Sequence, residues 1–116
     1  SLEHPYPQVK TFSLSVSDVN AGEYGYLAFA VRGAEEGTPG TIRVEIRNQR
    51  QESASVFVDD IGLRWRTVRI PLKEFDGISD WSSVSDVQFV LESWNAVKLK
   101  GILLIDDVCF SSATKG

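Results

Sequence analysis

Apolar and polar residues alternate along most of this chain. In residues 11–17, Phe12, Leu14 and Val16 fall in one phase and Ser13, Ser15 and Ser17 in the other. Residues 24–32 set Leu27, Phe29 and Val31 against Tyr26, Ala28, Ala30 and Arg32. Residues 41–49 set Ile42, Val44 and Ile46 against Arg43, Glu45 and Arg47. Val56 and Val58 share a phase in residues 53–59, as do Val87, Phe89 and Leu91 in residues 87–92, with Gln88 and Glu92 opposite. A period of two is the pattern of a strand with one buried face.

The stretch from Trp65 to Phe75 organises the rest. Arg66, Val68, Ile70 and Leu72 take one phase and Trp65, Thr67 and Arg69 the other. Pro71 has no amide hydrogen, so the ladder weakens or stops there, and Leu72 and Phe75 suit a short tucked turn. Residues 101–110 read as a closing strand, apolar on both faces and broken only by Asp106-Asp107. Between the strands lie turn and loop segments. Residues 18–22 hold Asn20 and Gly22, residues 33–40 are rich in Gly and Glu, and residues 76–85 are a polar connection around Trp81 with one short helical turn. No stretch spaces its apolar residues helically over ten or more positions. Seven or eight short strands predict an all-β fold, an antiparallel β-sandwich or jelly roll. The 116 residues form one domain, 1–116, with an irregular lead-in over 1–10 and a polar tail over 111–116.

Composition narrows the function more than the fold. The net charge of −4, from 12 basic and 16 acidic residues, argues against nucleic acid as a partner. No apolar run approaches the roughly 20 residues that span a bilayer, so no membrane partner is expected. The chain lacks Met, so residue 1 is read as the start of a processed or excised domain. Cys109 is the only cysteine, set in an apolar strand, and is expected to be a buried, inert thiol.

Catalysis lacks its usual parts, so no enzyme activity and no catalytic residue is expected. The adjacent acid pairs 35–36, 59–60 and 106–107 would point to opposite faces of a strand rather than at one substrate. His4 is the only histidine and lies in the lead-in, away from every serine that would need a base. Binding is better supplied. A sheet that holds sugar needs aromatic rings for the apolar ring faces and planar polar side chains for the hydroxyls. Tyr26 and Arg32, with Ala28 and Ala30 leaving a trough between them, meet that need. So do Arg43, Glu45 and Arg47, then Gln88 and Glu92, with Trp94 just beyond. If these faces adjoin, they form one polar hollow with an aromatic rim. The plainer alternative makes Arg43, Glu45 and Arg47 a solvated, ion-paired strand face, and Trp94 a loop plug. Trp81 is expected to pack under its loop.

The order of motifs resembles a known family. It runs from Tyr-x-x-Leu-x-Phe (24–29) and Ile-x-Val-x-Ile (42–46) to Trp-x-x-Val-x-Ile-Pro-Leu-x-x-Phe (65–75). Val-x-Phe-Val (87–90) and Ile-Asp-Asp-Val-x-Phe (105–110) follow. This resembles the galactose-binding-like β-jelly roll, and within it the carbohydrate-binding modules of bacterial glycoside hydrolases, with the first strands shortened or lacking. The resemblance implies a secreted, extracellular module that holds a β-glucan or other plant polysaccharide on a concave sheet for a linked catalytic domain. It also implies a structural calcium, with Asp106 as a ligand and Glu3 or Asp18 assisting. It assigns Trp65, despite its polar phase, to a core or sheet-end role. The 65–75 segment also resembles domains of the mitochondrial complex I assembly-factor type, which implies a protein-interaction or spacer domain as the alternative.

Overall fold

The structure, a computed structural model, describes residues 8–33, 41–93 and 103–112. Among the described residues there are seven strands: β1 (Gln8–Val19), β2 (Tyr26–Gly33), β3 (Ile42–Asn48), β4 (Ser53–Val58), β5 (Arg66–Pro71), β6 (Val84–Ser93) and β7 (Leu103–Ser111). Two single-turn 3-10 helices, Leu72–Glu74 and Trp81–Ser83, interrupt the run between β5 and β6. The strands form two antiparallel sheets, one ordered β1-β6-β3-β4 and the other β5-β2-β7. The first strand starts at Gln8, inside the expected lead-in, and β6 starts three residues before the apolar alternation suggests.

Alternation becomes a sandwich because each sheet has an apolar face that needs cover. Leu27, Phe29, Val31, Val68 and Ile70 meet Ile42, Val44, Ile46, Val87 and Phe89 in one buried cluster. The rings of Phe29 and Phe89 cross edge to face at 5.0 Å and tie the two sheets together. After Pro71 the chain tucks in as expected: Leu72 and Phe75 are buried, and Phe75 meets Trp81 edge to face at 6.1 Å. Trp81 therefore packs beneath its loop.

One expectation about a single residue is corrected and one is narrowed. Cys109 is exposed rather than buried. The ladder between β2 and β7 shifts register between Ala28 and Ala30, and Asp107 takes a positive φ of 56° there. That is a β-bulge, which inserts one residue and rephases the strand. Ile105 and Val108, three apart, both pack on the core, so Cys109 turns outward beside Ala28. Trp65 is half exposed, not a core residue. It keeps the outward phase of Thr67 and Arg69 at the entry to β5, an edge strand.

Candidate functional site

The outer face of the four-stranded sheet is built in rows across the strands. Arg43 stands between Val90 of β6 and Phe57 of β4, Glu45 between Gln88 and Ser55, and Arg47 between Asp86 and Ser53. Glu45 joins its two strand neighbours. Its Oε1 accepts from Arg43 Nη1 at 2.7 Å and its Oε2 from Arg47 Nε at 2.9 Å. Residues two apart on a strand share a face, and each carboxylate oxygen takes one guanidinium. This pairing runs along β3. Phe57, 60% exposed, flanks this clamp on the β4 side. Among the described residues the strip has one bare aromatic ring, fixed cations, and amide, hydroxyl and carboxylate groups.

At its end the strip opens into a polar groove of about 370 Å³, lined by Arg47, Asn48, Gln51, Glu52, Ser53 and Asp86 among others. The β3–β4 turn that forms the wall is held by two side chains. Buried Asn48 uses both ends of its amide. Its Oδ1 accepts from Arg50 N and Glu52 N, and its Nδ2 donates to Glu52 Oε1 and to the Asp80 carbonyl. Glu52 accepts from Ser79 Oγ at 2.6 Å and from the backbone N–H groups of Ser79 and Asp80. These donors, Ser79 Oγ first, favour the ionised carboxylate and lower its pKa from 4.5 to about 2. Asp80 is also lowered, chiefly by Ser82, whose hydroxyl and N–H both donate to it. A side chain on Gly77 would meet the Ser53 carbonyl oxygen at 2.6 Å, so the 76–80 segment closes directly onto the groove wall.

The hollow foreseen from the sequence is only partly assembled. Arg43, Glu45, Arg47 and Gln88 do come together. Glu92 stands in β6 opposite Val9, its side chain outside the described set. Trp94 lies outside the described residues. Tyr26 and Arg32 do not join them. They project from β2, which belongs to the other sheet, so they face away across the thickness of the sandwich. Strand phase tells in from out but not which sheet a strand enters.

A family model described as Carbohydrate binding domain 30 matches residues 9–112. The chain belongs to this carbohydrate-binding family. Its fold is shared with the family 11 carbohydrate-binding module of the cellulosomal cellulase Lic26A-Cel5E of Clostridium thermocellum. The TM-score is 0.71 at 13% identity, over 95% of this chain and 85% of that one. A second structure, of a Clostridium thermocellum family 11 module in complex with a β-1,3-1,4-mixed-linked tetrasaccharide, aligns with a TM-score of 0.69 at 14% identity. That alignment covers 95% of this chain and 86% of the other. No curated protein matches the chain by sequence. At these identities the neighbours establish the fold, a β-jelly roll with two antiparallel sheets.

A calcium ion would need about six to eight oxygen ligands. Asp106 is exposed on β7, and its Oδ1 accepts from the Asp107 N–H at 2.8 Å. Among the described residues no three acidic, His or Cys side chains cluster as a metal site. Glu3 lies outside them.

Residues missed from the sequence are Phe57 and the groove wall. Phe57 was legible, since it holds the outward phase between Val56 and Val58. The wall was not, because Glu52 meets Ser79 and Asp80 across 27 and 28 residues of chain.

Proposed function

We propose that this domain holds a neutral polysaccharide chain of the β-glucan type along the outer face of the four-stranded sheet, without catalysing its cleavage. The observation that carries this reading is Phe57, bare beside the Arg43–Glu45–Arg47 clamp and in line with a polar groove. A sugar ring stacks its apolar face on Phe57, and Gln88, Glu45 and Arg47 exchange hydrogen bonds with ring hydroxyls. The clamp fixes its side chains before ligand arrives, which lowers the entropy lost on binding. The family membership and the tetrasaccharide held by a module of the same fold support this choice of ligand. Each stack or exposed hydrogen bond contributes about 1 kcal/mol net, so affinity is modest. Such a module serves a linked catalytic domain, outside the cell, by raising its effective concentration on the polymer.

Affinity electrophoresis in gels containing mixed-linked β-glucan tests this. Retarded migration is expected for the wild type, with retardation largely lost in Phe57→Ala. Unretarded wild-type protein with a β-sheet circular dichroism spectrum would sink the proposal.

A further inference from the structure

The outer face of the three-stranded sheet plays no part in that reading, yet it is chemically organised. Arg69 lies over the ring of Tyr26 with its Cζ 4.2 Å from the ring centre, and Arg32 lies over Trp65 at 5.4 Å. Between these two stacks the floor is low: Ala28 sits between Arg69 and Cys109, and Ala30 between Thr67 and Asp106. No acidic residue occurs in residues 24–33 or 63–73, although acids outnumber bases in the chain as a whole. Among the described residues, neither Arg32 nor Arg69 is paired with a carboxylate. Arg32 donates to the Gly33 carbonyl and Arg69 to that of Ser112. A guanidinium has five N–H donors, so each keeps several for a ligand. The acids of this sheet, Asp106 and Asp107, are on β7; Asp106 stands opposite Ala30, with β2 between it and Arg69 of β5.

Arginines on an edge strand also keep foreign strands away. That role requires neither a half-exposed Trp65 on the face nor rings under the guanidinium groups. We propose that this face is a second glycan-binding strip, and that its ligand is an acidic polysaccharide bearing uronate carboxylates. Trp65 offers a stacking surface for a sugar ring, and the guanidinium groups take carboxylates in two-pronged pairs. Arg32 and Tyr26 are six residues apart on β2, about 20 Å at the rise of a strand, a span that holds several linked sugars. An acidic peptide would satisfy the arginines but would leave the ring-and-alanine floor without a purpose.

Calorimetric titration of the whole domain with oligogalacturonate, mixed-linked gluco-oligosaccharide and polyglutamate tests the inference. Oligogalacturonate is expected to bind, about tenfold more weakly in Trp65→Ala and in Arg69→Gln. The binding fades near 1 M NaCl, where charges are screened beyond about 3 Å. Arg50→Gln, which removes an arginine elsewhere on the surface, leaves it unchanged. Saturating gluco-oligosaccharide does not displace it. No binding of oligogalacturonate, equal binding of polyglutamate, or displacement by the neutral sugar would each overturn the proposal. The neutral sugar is titrated separately, so its failure to bind would remove the first strip and leave this one standing.

Discussion

The two outer faces of this sandwich start from the same alternation and end with opposite electrostatics. On the four-stranded sheet, β3 carries Arg-x-Glu-x-Arg, and the central Glu45 neutralises part of the charge on both sides. On the three-stranded sheet, Arg32 of β2 and Arg69 of β5 have no carboxylate partner among the described residues, and the rings of Trp65 and Tyr26 are their neighbours instead. A single choice two residues along a strand, acid or ring, decides whether a guanidinium is spent inside the protein or kept for a ligand. The first face suits a neutral chain held by hydroxyl contacts. The second suits a charged one.

The comparison assumes one shared layer beneath both faces, and the largest effect comes from removing it. Phe29 is 1% exposed and lies against Phe89 between the sheets. Phe29→Ala is expected to cost about 3–5 kcal/mol in chemical denaturation and to weaken binding at both faces together. A loss below about 1 kcal/mol, within the range of surface substitutions, would mean that this pair does not join the sheets.

Gly77→Ala acts on one face only. The added Cβ would meet the Ser53 carbonyl at 2.6 Å, and a backbone atom cannot swing aside as a side-chain tip can. A cost of about 1–3 kcal/mol is expected, with weaker neutral-glucan binding as the groove wall shifts. Unchanged denaturation together with unchanged glucan affinity would show that this closure does not shape the strip. Glu45→Gln is the sharper tool. It keeps the shape of the side chain but removes the shared anion, leaving Arg43 and Arg47 without their carboxylate. We expect a loss of about 1–2 kcal/mol, weaker binding of neutral glucan, and a gain in oligogalacturonate binding as this face comes to resemble the other. Calorimetry showing no change in the ratio of the two affinities would end the argument from electrostatics.

How far the sequence shows these faces depends on the range of the interactions involved. In and out were legible on every strand whose alternation is unbroken, as in β2 and β3, because side chains on a pleated strand alternate. Cys109 was misread because the bulge at Asp107 breaks the phase where no apolar cue marks it. Of the core or sheet-end role that the family likeness gave Trp65, the sheet-end half stands and the core half does not, and the outward phase of Trp65 already argued against the core. The division of Tyr26 and Arg32 from Arg43, Glu45 and Arg47 was not legible at all. Sheet membership follows from which distant strands pair, and β2 pairs with β5 and β7, far along the chain. The same holds for the groove, whose wall joins the β3–β4 turn to the segment before β6.

That wall supplies the smallest effect expected, and it separates the faces by pH. Glu52 is held well below its ordinary 4.5, to about 2, by Ser79, Asn48 and Asp80. The fold favours the ionised form, so the contribution to stability is complete above about pH 4.5 and is lost as pH falls toward 2. The carboxylate is only partly buried, which lets solvent screen it and keeps the effect small. Urea midpoints at about pH 7 and about pH 3, on either side of the unfolded pKa, are compared for wild type and Glu52→Gln. The wild type is expected to lose more stability on acidification than the variant does. Glu52 bonds to the wall of the groove, so neutral-glucan binding should likewise weaken more on acidification in the wild type than in Glu52→Gln. Equal acid sensitivity in the two proteins would mean that the hydrogen bonds to Ser79 and Asp80 do not hold the turn, and that the groove takes its shape from Asn48 alone.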